Sequence, residues 1–256
     1  MSDDTDVVWI SSSHVLQRFD RPLLQYISQS MNVDQWEYLH DKDEGSSIDE
    51  AVDLIYKFLG RYSHPIHLAG HGAGGAWFTA AGIALTFARR YPQKVRSLVL
   101  LAVASQPANT WHVHYYLQRK LFTMSREQVL ASCVRHLFGE QPHNTSKMLM
   151  GVLCRDLEES PLLHSLFKLI ELPKGGVSMP IMVCGSKNDI IVNSPALKGW
   201  LKGFKPEDHL WECPKGYHFF HYFYPQKVCE QMLSFWQPYH LQSMLTSQLV
   251  FQNLTN

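Results

Sequence analysis

The stretch HLAGHGAGG, from His67 to Gly75, lies between a short apolar run and a long amphipathic segment. An apolar run followed by glycines and then by helical periodicity predicts a strand that turns sharply into a helix. Such a turn serves either phosphate binding, through its backbone N–H groups, or nucleophilic catalysis, through a side chain held at its tip. The rest of the chain has to distinguish the two.

Short β-rich runs alternate with helical runs on both sides of this turn. We expect strands at residues 6–11, 34–40, 65–69, 97–104, 180–186 and 208–214, with helices at 21–31, 47–62, 76–91 and 225–236. This alternation predicts parallel strands joined by right-handed helical crossovers. The expected fold class is therefore α/β, with a mostly parallel, doubly wound sheet.

The alternation stops after the fourth strand. Residues from about 107 to 172 form three or four helical stretches without a convincing strand. A helical insertion between two strands of such a sheet predicts a cap over the edge where open α/β sheets bind ligands. The expected organisation is a core of residues 1–106 and 173–237, a helical cap of residues 107–172 and a polar tail of residues 238–256.

Composition excludes several classes of function. The 256 residues are 45% apolar and 18% charged, with a formal net charge of zero, which predicts a globular core and argues against nucleic-acid binding. No apolar run is long enough for a transmembrane segment, and no leader pattern is present. The five cysteines form no CxxC or Cys/His pair. We therefore expect a cytoplasmic protein with free thiols, no metal and no transmembrane segment, whose oligomeric state the sequence does not reveal.

Gly70, Gly72 and Gly75 formally satisfy the dinucleotide-binding pattern G-x-G-x-x-G. That chemistry also requires an acidic residue about 20 positions later, which holds the ribose hydroxyls. The first acid after the turn is Glu127. The sequence therefore predicts that no nucleotide is bound. We expect no other cofactor either.

In the alternative register, Gly72 occupies the nucleophile position of a small-x-nucleophile-x-small elbow. Here the sequence resembles the capped branch of the α/β-hydrolase superfamily, whose members often read HLVGHSMGG at the elbow. Three further segments, RYPQKVRSLVLLA, CGSKNDIIV and KGYHFFHYFYPQKV, resemble those that follow the elbow, carry the acid and carry the base. The match extends over nearly the whole chain, although the first two strands of the hydrolase sheet have no counterpart.

The resemblance assigns a role to each matched position. It implies that Asp189 is the acid and His218 the base, with Gly72 as a degenerate nucleophile position and the backbone N–H of Ala73 as an oxyanion donor. Tyr217 replaces the glycine that normally precedes the base. The loop of residues 11–20 replaces a glycine-containing oxyanion loop. An elbow of this kind would place Gly72 at positive φ, which glycine adopts freely.

Without a hydroxyl at residue 72, the resemblance implies a hydrolase-like protein that does not hydrolyse esters. It would bind an apolar or aromatic small molecule or a protein partner, with His71, Ala73, Trp111, Tyr115 and Tyr217 as candidate binding residues. Three alternatives stay open. His71 could replace the nucleophile, His218 and Asp189 could act as a cofactor-free dyad in hydrolase, lyase or oxygenase-like chemistry, or substitution of the serine could have inactivated a hydrolase.

Overall fold

The computed structural model describes residues 4–39, 47–72, 79–105, 110–159 and 175–238. Six strands form one parallel sheet in the order β2-β1-β3-β4-β5-β6. The strands are β1 Val7–Ser11, β2 Val33–Glu37, β3 Ile66–His71, β4 Val95–Leu101, β5 Ile181–Ser186 and β6 His209–Cys213. The predicted α/β class and parallel sheet are confirmed.

The helices lie between these strands, as the sequence pattern predicts. They are α1 Arg21–Ile27, α2 Ile48–Leu59, α3 Ala80–Arg90, α4 Trp111–Leu121, α5 Arg126–Phe138, α6 His143–Glu159, α7 Ser194–Lys198, α8 Phe220–Phe223 and α9 at residues 225–238. Short 3-10 helices cover Gln17–Phe19, Pro92–Lys94 and Gly199–Gly203. In the described residues, no helix is long and apolar enough to cross a membrane.

The two faces of the sheet carry separate apolar cores. Val8 and Ile10 of β1 point into a core formed with α2, α3 and the helices α4–α6. Val7 and Trp9, the alternating residues of the same strand, point into a core formed with α1 and α9. Because successive side chains of a strand point to opposite faces, a strand buried on both sides is apolar throughout. This two-sided burial explains the continuous apolar run VVWI.

Three helices, α4, α5 and α6, stand between β4 and β5 where the sequence predicts a cap, and residues 110–159 contain no strand. The rings of Phe138 at the end of α5 and Phe219 after β6 stack with centroids 4.6 Å apart. The predicted core–cap boundaries at residues 106–107 and 172–173, like the tail from residue 239, lie outside the described residues. The division into core and cap therefore stays a prediction.

The ring of Tyr217 also packs against the end of α5. Gly139, the residue after α5, has a φ of 76°, and a Cβ added to it would lie 2.2 Å from Cε2 of Tyr217. Tyr217 has a φ of 54°, in the left-handed region that favours glycine. This explains physically why hydrolase sequences often place glycine at this position. In this protein the residue is a tyrosine, and its ring contacts Gly139 at the end of α5.

We predict that Gly139→Ala and Tyr217→Gly are energetically coupled. In the wild-type background, Gly139→Ala should cost about 1–3 kcal/mol for its positive-φ backbone, plus the cost of displacing the Tyr217 ring. In the Tyr217→Gly background only the backbone cost remains. A double-mutant cycle on urea unfolding should give a coupling energy of at least about 0.5 kcal/mol. Strictly additive effects would contradict the contact.

Candidate functional site

Asp189 and His218 meet at the carboxyl edge of the sheet. Nδ1 of His218 lies 2.9 Å from Oδ2 of Asp189, and both side chains are completely buried. The other carboxylate oxygen of Asp189 accepts the backbone N–H groups of Ile191 and Val192 at 2.8 and 3.1 Å. These two amides fix the carboxylate, and the carboxylate orients the imidazole. The geometry matches that of a general base held by an acid.

The second ring nitrogen of His218, Nε2, is buried and has no hydrogen-bond partner among the described residues. Buried polar atoms are normally paired, because leaving one unsatisfied costs about 1–3 kcal/mol. With Nδ1 engaged by Asp189, Nε2 is the atom that would accept or deliver a proton. The His218–Asp189 pair therefore keeps the geometry of a general acid or base, with Nε2 of His218 as the nitrogen that would exchange the proton.

Gly72 follows β3 directly, and its backbone N–H donates to the carbonyl of Leu101 at 2.7 Å. A Cβ added to Gly72 would lie 2.2 Å from the carbonyl oxygen of Ala102. The expectation of a positive φ at Gly72 is wrong, since only Gly139, Gly175 and Gly216 have one among the described glycines. The physical reason for a glycine here is the close approach of β4. Ala102 itself carries the left-handed backbone, with a φ of 54°.

His71, the last residue of β3, is buried beside the dyad. Its Nε2 donates to the backbone carbonyl of His218 at 3.0 Å, and its ring centroid lies 5.0 Å from that of His218 and 4.3 Å from that of His221. Burial lowers the pKa of His71 well below 6.5, and the charges of His221 and His218 lower it further. A neutral imidazole that supports the His218 backbone fits these contacts, whereas a nucleophile would need Nε2 for the substrate.

A second buried histidine–carboxylate pair lies next to the first. Nε2 of His221 is 2.9 Å from Oδ1 of Asp20, and the indole N–H of Trp9 donates to Oδ2 of Asp20 at 2.9 Å. The sequence pattern does not indicate this pair, because 201 positions separate its members. No local motif could have indicated it. The pair ties the loop after β1 to helix α8.

The same loop is tied to the helices between β4 and β5. The hydroxyl of Ser13 donates to Oδ1 of Asp156 in α6, whose other oxygen contacts the indole N–H of Trp111 at 3.1 Å and Nε2 of His112 at 2.8 Å. Asp156 is completely buried. The sequence pattern does not indicate this network either. The loop that the resemblance predicts to replace an oxyanion loop is therefore held in place by a hydrogen bond to α6.

The predicted binding residues Trp111, Tyr115 and Tyr217 are packed against other parts of the structure, and their binding role stays a prediction. Trp111 is completely buried, and its indole N–H donates a hydrogen bond to Asp156. Tyr115 is 6% exposed and lies in the core between the helices. Both belong to the packing of α4 and do not line the pocket beside His71. Tyr217 packs on Gly139 and donates its backbone N–H to Asn188 at 3.0 Å. Ala73, the predicted oxyanion donor, lies outside the described residues.

A small pocket opens at the carboxyl ends of β1 and β3. It is lined by Ser11, Ser12, Ser13, Leu16, Gln17, Asp20, His71 and Ala80. Most of these side chains carry hydroxyl, amide, carboxylate or imidazole groups, and the pocket volume of about 10 Å³ is enough for one water molecule. In the described part of the chain, no group of three or more histidine, cysteine, aspartate or glutamate residues is arranged to hold a metal.

Several solved structures similar to this one are hydrolases. The meta-cleavage product hydrolase CumD of Pseudomonas fluorescens IP01 matches with a TM-score of 0.67, 13% identity and 91% coverage of each chain. A serine hydrolase of Cycloclasticus zankles, CCSP0084, matches with a TM-score of 0.65, 13% identity and coverage of 91% of this chain and 89% of its own. The chain has the α/β-hydrolase fold, as the sequence resemblance predicts.

Two cyanobacterial proteins are similar over nearly their full lengths. The uncharacterized protein alr2406 of Nostoc sp. strain PCC 7120 is 70% identical over all 256 residues, which is 100% of both chains. The uncharacterized protein sll0249 of Synechocystis sp. strain PCC 6803 is 35% identical over 237 residues, covering 93% of this chain and 92% of its own. This chain belongs to the same family as these proteins. No protein-family model matches it.

We predict that Gly72→Ala destabilises the protein. The new methyl group would meet the backbone carbonyl of Ala102, which cannot move without shifting the end of β4. Overpacking of this kind costs about 1–3 kcal/mol of unfolding free energy, measurable by urea denaturation. The matched control is Gly151→Ala in α6, where no atom lies within 4 Å of the added Cβ. That change should stabilise by about 0.5–1 kcal/mol, because alanine has the higher helix propensity. Equal effects at both positions would contradict this explanation.

We predict that His71 makes folding stability sensitive to acid. The unfolded chain takes up a proton on this residue near pH 6.5, whereas the folded protein, with the pKa held well below that value, does not. Stability is therefore lost as the pH falls below about 6.5, by at most about 1.4 kcal/mol per pH unit. Burial also lowers the pKa of His114 and His136, and their contribution is common to wild type and variant. In His71→Gln, the slope of unfolding free energy against pH should fall by up to about 1.4 kcal/mol per pH unit, which corresponds to one proton. Parallel curves for the two proteins would argue against it.

Proposed function

We propose that this protein is a non-hydrolytic member of its superfamily that acts by binding a ligand or a protein partner. The observation that carries the proposal is the position of Gly72 against Ala102. A side chain at residue 72 would have its Cβ 2.2 Å from a backbone oxygen, a distance that packed atoms do not reach. Glycine at this position thus lacks a nucleophile and also leaves no space for one.

The loop after β1 supports the same conclusion. Ser13 is bound to Asp156, and Asp20 is bound to His221 and Trp9. An oxyanion hole needs N–H donors aimed at the position where negative charge develops. Two buried carboxylates contact this loop, Asp20 within it and Asp156 from α6, and a nearby carboxylate destabilises an oxyanion. Ester hydrolysis through a tetrahedral intermediate is therefore disfavoured by the glycine at residue 72 and also by the carboxylates near the loop after β1.

The pocket beside His71 has a volume of about 10 Å³, which is enough for one water molecule and too small for a larger ligand. Its carboxylate, Asp20, is engaged by His221 and Trp9, and the hydroxyl of Ser13 is engaged by Asp156. Trp111 and Tyr115 are buried among the helices. A small molecule, apolar or aromatic as the resemblance implies, would therefore need a site outside this pocket. Binding of a protein partner remains the other form of the proposal.

A fluorophosphonate probe tests the absence of a serine nucleophile. We expect no covalent adduct on the wild-type protein and none on Gly72→Ser, because the new side chain meets the Ala102 carbonyl before it can reach His218. Intact-mass spectrometry measures the adduct, and circular dichroism establishes that the variant is folded. An adduct on either protein that disappears in the matching His218→Ala variant would overturn the proposal.

Nε2 of His218, which has no hydrogen-bond partner within the described ranges, favours a second candidate function, acid–base chemistry without a covalent intermediate. A histidine oriented by a carboxylate contributes typically about 10²–10⁴-fold in rate when it transfers a proton in the transition state. Kemp elimination of a nitrobenzisoxazole reports such a base without needing a nucleophile. Activity that falls to background in both His218→Gln and Asp189→Asn would favour this candidate. Activity equal in all three proteins would exclude the dyad as its source.

A further inference from the structure

Helix α4 carries large apolar side chains on both of its faces. Trp111 and Tyr115 point inward and are 0% and 6% exposed. On the outward face Tyr116, Leu117 and Leu121 are 40%, 50% and 69% exposed, and Phe122, the residue after the helix, is 57% exposed. The water-facing side of a surface helix is normally polar. The outward face of α4 therefore has the composition of a binding surface.

Two cations lie among these apolar residues. Arg119 and Lys120 are both exposed, and within the described residues neither forms an ion pair with a carboxylate. The guanidinium of Arg119 donates to the backbone carbonyl of Met124. No aspartate or glutamate occurs anywhere from residue 54 to residue 126. We call residues 116, 117 and 119–122 the α4 patch, and this patch is both apolar and positively charged.

We propose that the α4 patch docks on a lipid bilayer surface that carries anionic headgroups. Leucine, tyrosine and phenylalanine side chains enter the boundary between headgroups and acyl chains, while arginine and lysine reach the headgroup charges. Charge complementarity favours this occupant over a second copy of the chain. A symmetric dimer through the patch would bring two copies of Arg119 and two of Lys120 together, and like charges repel.

The proposed docking is peripheral and reversible. α4 has 11 residues, about half of the roughly 20 that a membrane span requires. A basic residue close to an anionic surface strengthens partitioning by about fivefold, and a buried leucine or phenylalanine by on the order of tenfold. The two cations and four apolar side chains of the patch together give measurable vesicle binding at moderate ionic strength. This inference does not depend on the proposed function.

Co-sedimentation of the full chain with lipid vesicles tests the proposal. We expect binding to vesicles of phosphatidylcholine mixed with phosphatidylglycerol, weak or no binding to phosphatidylcholine alone, and release at high salt. Arg119→Gln with Lys120→Gln should weaken binding to the anionic vesicles by roughly 25-fold. Leu121→Ser with Phe122→Ser should weaken it by on the order of 100-fold. Because all four side chains are exposed, the variants should keep the wild-type melting temperature.

The chain offers a matched control. Leu201 and Lys202 are another exposed leucine–lysine pair, in the 3-10 helix Gly199–Gly203, and Leu201 is 53% exposed. The variant Leu201→Ser with Lys202→Gln removes one apolar side chain and one charge from a different surface. We expect it to bind anionic vesicles as the wild type does. An equal loss in this control would mean that the α4 patch has no special role.

Several outcomes would overturn the proposal. Wild-type protein that does not sediment with anionic vesicles would do so, as would equal binding to both vesicle types or patch variants that bind like the wild type. Light scattering separates the alternative of self-association. If the patch variants convert a dimer into a monomer and no vesicle binding occurs, the patch is an interface between copies of this chain. Activity of His218 or labelling by a fluorophosphonate probe bears on the proposed function alone.

Discussion

The close approach of β3 and β4 at their carboxyl ends is the constraint on which the site depends. The two strands are central in the sheet, and beyond them the N–H of Gly72 still donates to the carbonyl of Leu101 at 2.7 Å. The two backbones stay close as far as Ala102, whose carbonyl oxygen fills the space that a side chain at residue 72 would need. The close packing at residue 72 and the lack of a reactive side chain there thus have one cause. The residue that lets the two backbones meet is also the one without a reactive group.

Buried carboxylates organise the edge of the sheet around this contact. Asp189 pairs with His218, Asp20 with His221, and Asp156 with His112, and each pair joins segments far apart in the chain. A buried carboxylate is tolerated only when charge or hydrogen bonds compensate it, so each pair also fixes the geometry of its two segments. His71 lies among the rings of His218 and His221 with a pKa well below 6.5. A neutral His71 avoids adding positive charge to this crowded region.

The sequence predicted the sheet and the dyad well, for identifiable reasons. All six strands lie within a few residues of their predicted positions, because burial on both faces makes their apolar runs distinctive. Asp189 and His218 are adjacent because parallel strands end at the same edge of a sheet, so the loops after β5 and β6 meet there. Trp111 and Tyr115 were predicted to bind a ligand because their segment falls at the expected cap entrance; in the structure both are buried, and their binding role stays a prediction. An aromatic side chain has the same composition in a core as in a cleft, and only packing distinguishes the two.

By itself, the sequence determined the strand and helix pattern, the parallel sheet and the elbow position without a hydroxyl. These follow from periodicity and residue type, which are local properties of the chain. Only the tertiary structure decided why residue 72 is glycine, since the reason is the carbonyl of Ala102, 30 positions away, at 2.2 Å from the missing Cβ. It also decided that Asp20 binds His221 and that Ser13 binds Asp156, at separations of 201 and 143 residues. Contacts across such distances depend on how the layers pack, and no spacing in the sequence encodes them.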